Sequence, residues 1–184
     1  MSFAETRVEA GVGLRVVLID LTHSTKRKGG REEVIPVVVR SSETIDRVPL
    51  ERLVTPATVI DLTRRAQEDA VSRLDVIKTA VADIGGCILR TDWCDRYLVG
   101  DHRPVPELTI DAAAYLLEGG VRTVASDFPL TGGAADLLLH NNCVLVHCLS
   151  GILRLSKSIV RLIALPLKLE DTFSADARVI AIEE

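Results

Sequence analysis

Apolar residues in this chain come in short continuous runs, broken by polar and by Gly- or Pro-containing segments. The run Arg15 to Leu21 has polar ends and a β-branched centre, the pattern of a strand buried on both faces. Val34 to Val39 reads as its partner, with a basic, Gly-containing loop making a hairpin-like excursion between the two. Ala57 to Leu62 repeats the strand pattern. Gln67 to Asp83 then carries Ala70, Val71, Leu74, Ile77 and Val81 at helical spacing, stopped by Gly85-Gly86. Cys87 to Thr91 is the next strand, followed by a polar, Pro-containing loop from Asp92 to Glu107 of the long kind that tends to carry function.

In the C-terminal half, Thr109 is an N-cap for a helix through Ala112, Ala113, Leu116 and Leu117, and Gly119-Gly120 supplies its stop. Val121 to Asp127 returns as a strand. A loop from Pro129 to Gly133, a short helix around Ala135 to His140 and a strand from Cys143 to His147 follow. Leu149 to Ser156 reads as a helical turn. Strands Ile159 to Leu167 and Arg178 to Ile182, joined by the polar turn Glu170 to Asp176, close the pattern. Strand and helix alternate, so the predicted class is α/β: a single domain over residues 1–184 with a mixed, largely buried sheet and flanking helices.

Composition narrows the function classes. Charged residues interrupt every apolar run well short of a membrane span, and the acidic Met1 to Gly13 does not read as a signal peptide, so a cytoplasmic location is expected. A net charge of -4 without a basic face argues against nucleic acid. Lys26, Arg27, Lys28 and Arg31 cluster around Gly29-Gly30 and read as a solvated loop. Cys87, Cys94, Cys143 and Cys148 lack a regular spacing and read as packed thiols. Aromatics make up only 3%, which leaves a core of Val, Ile, Leu and Ala.

Several pieces, read in order, resemble the cyclase/kynurenine formamidase family, which includes isatin hydrolases: Ile19 to His23, Val59 to Leu62, Leu89 to Trp93, Pro106 to Thr109 with Ala112 to Leu117, Val121 to Asp127, and Ala164 to Lys168. The resemblance implies a swivelling β/β/α-type fold, assembled as a homodimer or homotetramer, with a cleft on each protomer that takes a small-molecule substrate. The departure is as informative as the match. The family's hydrolases carry a His-x-Gly-Thr-His-x-Asp-x-Pro-x-His stretch that binds a divalent metal and activates water. Here Val39 to Glu43 runs straight into Thr44 to Leu50, which resembles the sequence that normally follows that stretch. Two later family positions, a His and a Glu, fall on Ala135 and His147. No metal and no cofactor are therefore expected.

His147 stands at the family's carboxylate position, where an imidazole serves as acid or base near neutral pH; the alternative is a hydrogen-bonded core residue. Asp127 ends a strand and either orients a histidine or caps the loop beginning Phe128-Pro129. His23 either faces the same cleft or anchors its loop. Trp93 and Arg90 either hold an aromatic or carboxylate-bearing ligand or serve the sheet edge and an ion pair. Cys148 adjoins His147 along a strand, so the two point to opposite faces and make no dyad. Two functions follow. One is a metal-independent enzyme that cyclises, dehydrates or isomerises a small organic molecule by positioning and acid/base groups, in bacterial natural-product biosynthesis. The other is a catalytically silent homologue acting as a ligand-binding or structural subunit.

Overall fold

The β-branched runs fold into a sheet that closes on itself, buried on both faces along its central parallel strands and on the inner face along its antiparallel ones. A computed structural model describes residues 5–10, 14–22, 37–39, 43–65, 70–79 and 84–184. The strands are β1 (Glu5–Ala10), β2 (Leu14–Asp20), β3 (Val37–Val39), β4 (Val54–Asp61), β5 (Ala70–Val71), β6 (Gly86–Arg90), β7 (Glu107–Leu108), β8 (Thr123–Ser126), β9 (Val144–His147), β10 (Ile159–Pro166) and β11 (Ser174–Glu183). Nine of these form one sheet in the order β1-β2-β11-β10-β4-β6-β8-β9-β3, while β5 and β7 pair separately. Because β3 also pairs with the start of β11, through Val38 and Ala175, the sheet closes into a barrel. Strands β4, β6, β8 and β9 are parallel; the remaining neighbours in the sheet are antiparallel.

The period of two along each strand sorts the core into two clusters. Ile88, Ala125, Val144 and Val146 point into the barrel and meet Leu162, Ala164, Val179 and Ala181 from the antiparallel half. Cys87, Leu89, Val124 and Leu145 point outward under the helices. Those helices are α3 (Trp93–Leu98), α4 (Ile110–Glu118) and α5 (Gly132–His140), preceded in the chain by the short α1 (Leu50–Leu53) and α2 (Arg73–Val76). Helices α4 and α5 pack on each other, and each fully buried Leu such as Leu116 and Leu138 contributes about 1.5–3 kcal/mol. Gly86 opens β6 where a side chain has no room: a Cβ there would lie 2.9 Å from Thr55 Cγ2. Among the described residues, no helix is long and apolar enough to cross a membrane.

The α/β class, the mixed buried sheet and the flanking helices match the expectation. Thr109 caps α4, its hydroxyl accepting the Ala112 N–H at 3.4 Å. Other expectations need correcting. Strands β2 and β3 are not hairpin partners: both lie against the same edge of β11 and run in the same direction, β2 beside its C-terminal half and β3 beside its N-terminal end. The helix expected from Gln67 is, within the described residues, only α2; Ala70–Val71 is a strand, and Leu74 and Ile77 face solvent. The Asp75 carboxylate accepts from the Ser72 N–H and hydroxyl, which starts the helix later than the apolar spacing suggests. The supposed loop Asp92 to Glu107 contains α3, and β11 begins at Ser174 inside the supposed turn. All four cysteines are free thiols. Residues 34–36, 66–69 and 80–83 and the basic loop at 26–31 lie outside the described residues.

Candidate functional site

The parallel strands β4, β6, β8 and β9 end side by side, and in such sheets the carboxyl ends of the strands are where ligands meet chemistry. Arg90, Asp127 and His147 stand at or just beyond these ends. Asp127, 2% exposed, reaches across to the turn that follows β6. Its carboxylate accepts the Thr91 N–H at 2.9 and 3.0 Å, the Thr91 hydroxyl at 2.7 Å, and the Asp92 N–H. Burial pushes this carboxyl up to about 7, against the pull of those donors and with added repulsion from Asp92. Asp127 thus caps the turn leading into α3 rather than the loop that begins at Phe128. Asp92 sits there in the left-handed region at φ 61°.

Arg90 donates to Asp92 at 2.8 and 3.3 Å, and the hydrogen bond to Asp92 holds its guanidinium more firmly protonated than usual. Trp93 is buried in the outer core, stacks on Tyr97 at 5.0 Å and donates its indole N–H to the Arg103 carbonyl at 3.3 Å. The structure therefore gathers Arg90, Thr91, Asp92, Trp93 and Asp127 into one interlocked corner. His147 lies on the neighbouring strand and is tied elsewhere: its Nδ1 accepts the Leu130 N–H at 3.0 Å. That contact leaves the ring proton on Nε2, and burial holds the imidazole below its ordinary pKa, so a neutral ring presents Nε2–H. His23 lies outside the described residues.

Residues that the pattern did not single out close the end of the barrel. After β9 the chain crosses inward, with Leu149 and Ile152 buried in the inner core. Asp95 of α3 accepts the Gly151 N–H on both oxygens at 2.9 Å, and Arg154 donates to the carbonyls of Gly151 and Asp20. Gly151, at φ 70°, was the available signal. Cys148 also takes a left-handed conformation, φ 65°, just past the strand. Its thiol is pushed up to about 11 by burial and by the Asp127 charge, and Cys94 is raised further by burial, so neither is a ready thiolate.

Residues 35–131 match the Cyclase family model, described as "Putative cyclase". The chain belongs to the Cyclase family. An isatin hydrolase of Roseibium aggregatum (strain ATCC 25650 / DSM 13394 / JCM 20685 / NBRC 16684 / NCIMB 2208 / IAM 12614 / B1) is 30% identical over 166 residues, covering 74% of this chain. The chain spans 62% of that relative's length. Among solved structures, isatin hydrolase A from Labrenzia aggregata bound to benzyl benzoate superposes with a TM-score of 0.74 at 21% identity, covering 91% of this chain and 93% of that one. A potential metal-dependent hydrolase with cyclase activity gives 0.73 at 18%, covering 92% and 98%. At such identities these two structures show the shared fold.

A metal of the kind named for that hydrolase does not fit the side chains described here. Among the described residues no three His, Cys, Asp or Glu side chains converge on one point. The Asp127 oxygens are taken up by Thr91 and Asp92, and Ala135 offers no donor atom.

Proposed function

We propose that this Cyclase-family protein acts on a small organic molecule at the ends of β6, β8 and β9 without a resident metal, and that His147 is the group that meets the substrate. The observation that carries this reading is the Leu130 N–H on Nδ1, which presets the imidazole as a neutral Nε2–H donor. Such a donor polarises a carbonyl and steadies the charge that develops on its oxygen during ring closure, dehydration or isomerisation, at no reorganisation cost. Asp127 is a positioning residue: it fixes the Thr91-Asp92 turn, and with it Arg90, through backbone donors. The Arg-, Ala- and Val-rich composition supports a setting in bacterial small-molecule biosynthesis.

A second reading, a catalytically silent family member, has its own support. Val38, Ile45, Val48 and Leu53, all from the stretch that flanks the missing motif, are buried inside the barrel. One experiment separates the two. Purified protein is assayed for metal by elemental mass spectrometry and for isatin and aryl-formamide hydrolysis with and without zinc or manganese. In parallel, carbonyl-bearing fragments are screened by NMR on the His147 imidazole. The expected result is no stoichiometric metal, no metal-stimulated hydrolysis, and fragments that shift the His147 resonances in the wild type and fail to bind His147→Ala. Stoichiometric metal with hydrolysis would overturn the metal-free reading. Fragments that never perturb His147 would establish the silent one.

A further inference from the structure

Strand β8 is apolar through Val124 and Ala125 and then ends on Ser126, which is fully buried. Buried hydroxyls are as a rule hydrogen-bonded, and this one donates to the carbonyl of Phe128 at 2.5 Å. The main chain of Ser126 makes a second contact: its carbonyl accepts the Leu149 N–H at 3.0 Å, from the chain just past His147. Ser126 therefore touches both sides of the bond between Leu130 and His147, the loop that carries the N–H and the strand end that carries the ring.

The route from the hydroxyl to the imidazole is short and stiff. The Phe128 carbonyl belongs to the planar peptide unit that joins Phe128 to Pro129, so fixing the carbonyl fixes the plane. The pyrrolidine ring then locks φ of Pro129. One torsion, ψ of Pro129, is left before the Leu130 N–H. The side chains of Phe128 and Leu130, buried in the outer core on either side of the half-buried Pro129, restrain that torsion. At the other end, β8 and β9 pair through Ala125 and Val146, one residue short of Ser126 and His147. Donor and acceptor are thus set from the same residue: its hydroxyl aims the N–H, and its carbonyl holds the backbone beyond the ring.

We propose that Ser126 is a positioning residue for His147: its bond to the Phe128 carbonyl keeps the Leu130 N–H on Nδ1 and so fixes the imidazole as the Nε2–H tautomer. This role rests on the reading of His147 as the group that meets the substrate, and adds what presets that group. A serine that merely satisfied the Phe128 carbonyl would leave the ring indifferent to its loss. Only the Nε2–H form offers a proton from Nε2, so the apparent dissociation constant of a ligand that accepts it scales inversely with the fraction of that form.

Nitrogen-15 NMR of the imidazole at about pH 8, where the ring is neutral, reads the tautomer whether or not a ligand binds. In the wild type a single Nε2–H species is expected. Ser126→Ala is expected to bring in the Nδ1–H species, and Ser126→Thr, which keeps the hydroxyl, to return the ring to one form. Carbonyl-bearing fragments are expected to bind Ser126→Ala more weakly by the factor by which its Nε2–H fraction falls, roughly twofold at equal populations. Pro129→Gly leaves β8 and its hydroxyl in place while releasing φ, and supplies the same reading should Ser126→Ala not fold: it too is expected to show both tautomers. A folded Ser126→Ala or Pro129→Gly whose ring stays wholly Nε2–H would overturn the proposal, however much stability it loses. So would a wild type that already carries the Nδ1–H form. Fragments that bind neither protein while the tautomer follows Ser126 would remove the substrate role of His147 and uphold the positioning.

Discussion

Two buried carboxylates sit in matching cradles and behave in opposite ways. Asp127 accepts the N–H groups of Thr91 and Asp92 and the Thr91 hydroxyl. Glu183 accepts the N–H groups of Ser156 and Lys157 at 2.6 and 2.9 Å and the Ser156 hydroxyl at 2.8 Å. Each cradle is a hydroxyl residue followed by a charged one. Yet Asp127 is pushed up to about 7, while Glu183 is held below its ordinary value. For Asp127 burial dominates, and the charged neighbour, Asp92, is an anion. For Glu183 burial also pushes upward, but its donors and the Lys157 cation outweigh it, next to the solvent-exposed Ser156 and Ser158. Three good donors do not by themselves make a stable anion; depth weighs most, and the sign of the fourth neighbour adds to it in the same direction.

The largest effect belongs to Asp127→Ala, which leaves two buried N–H groups and a hydroxyl unpaired beside a small cavity and is expected to cost about 4 kcal/mol in urea unfolding. Its pH dependence fixes the sign. A carboxyl raised in the fold contributes stability that is fully present below its unfolded value, about 3.9, and is lost as pH rises through about 7. The gap between wild type and variant should therefore narrow from pH 4 to 7, and a gap that widens would reverse the assignment. Glu183→Gln comes next, at about 1.5 kcal/mol at neutral pH, because one acceptor becomes a misplaced donor. Here the folded value is depressed, so the gap should be present above the ordinary carboxylate range and vanish as pH falls through the folded value. Melts across the same pH series check both.

The contrast also explains what could be read in the chain and what could not. Strands such as Cys87 to Thr91 and the helix capped by Thr109 announce themselves because period, cap and stop are local. Helix α3 does not: it is six residues long, and its first turn is set by Asp127, whose bonds to Thr91 span 36 positions. The separation of β2 from β3 has the same origin, since both are placed by β11, from the far end of the chain. At the site, Asp127 and His147 were visible as polar residues ending apolar strands. Their partners, Thr91 and the Leu130 N–H, were not, because backbone donors carry no signature in composition.

Asp92→Asn tests the comparison most finely. Asparagine tolerates the left-handed conformation that Asp92 adopts, so the turn should persist and the Asp92 N–H should still point at Asp127. The lost ion pair with Arg90, whose side chains are 21% and 19% exposed, is expected to cost no more than about 1 kcal/mol. The substitution removes the anion that repels Asp127 and also frees the Arg90 guanidinium, which Asp127 already feels. Both changes favour the ionised carboxyl, so carboxyl-carbon NMR should find Asp127 titrating lower than in the wild type, a step towards the behaviour of Glu183. An unmoved midpoint would mean that burial alone sets the Asp127 proton and that the sign of the neighbour is incidental.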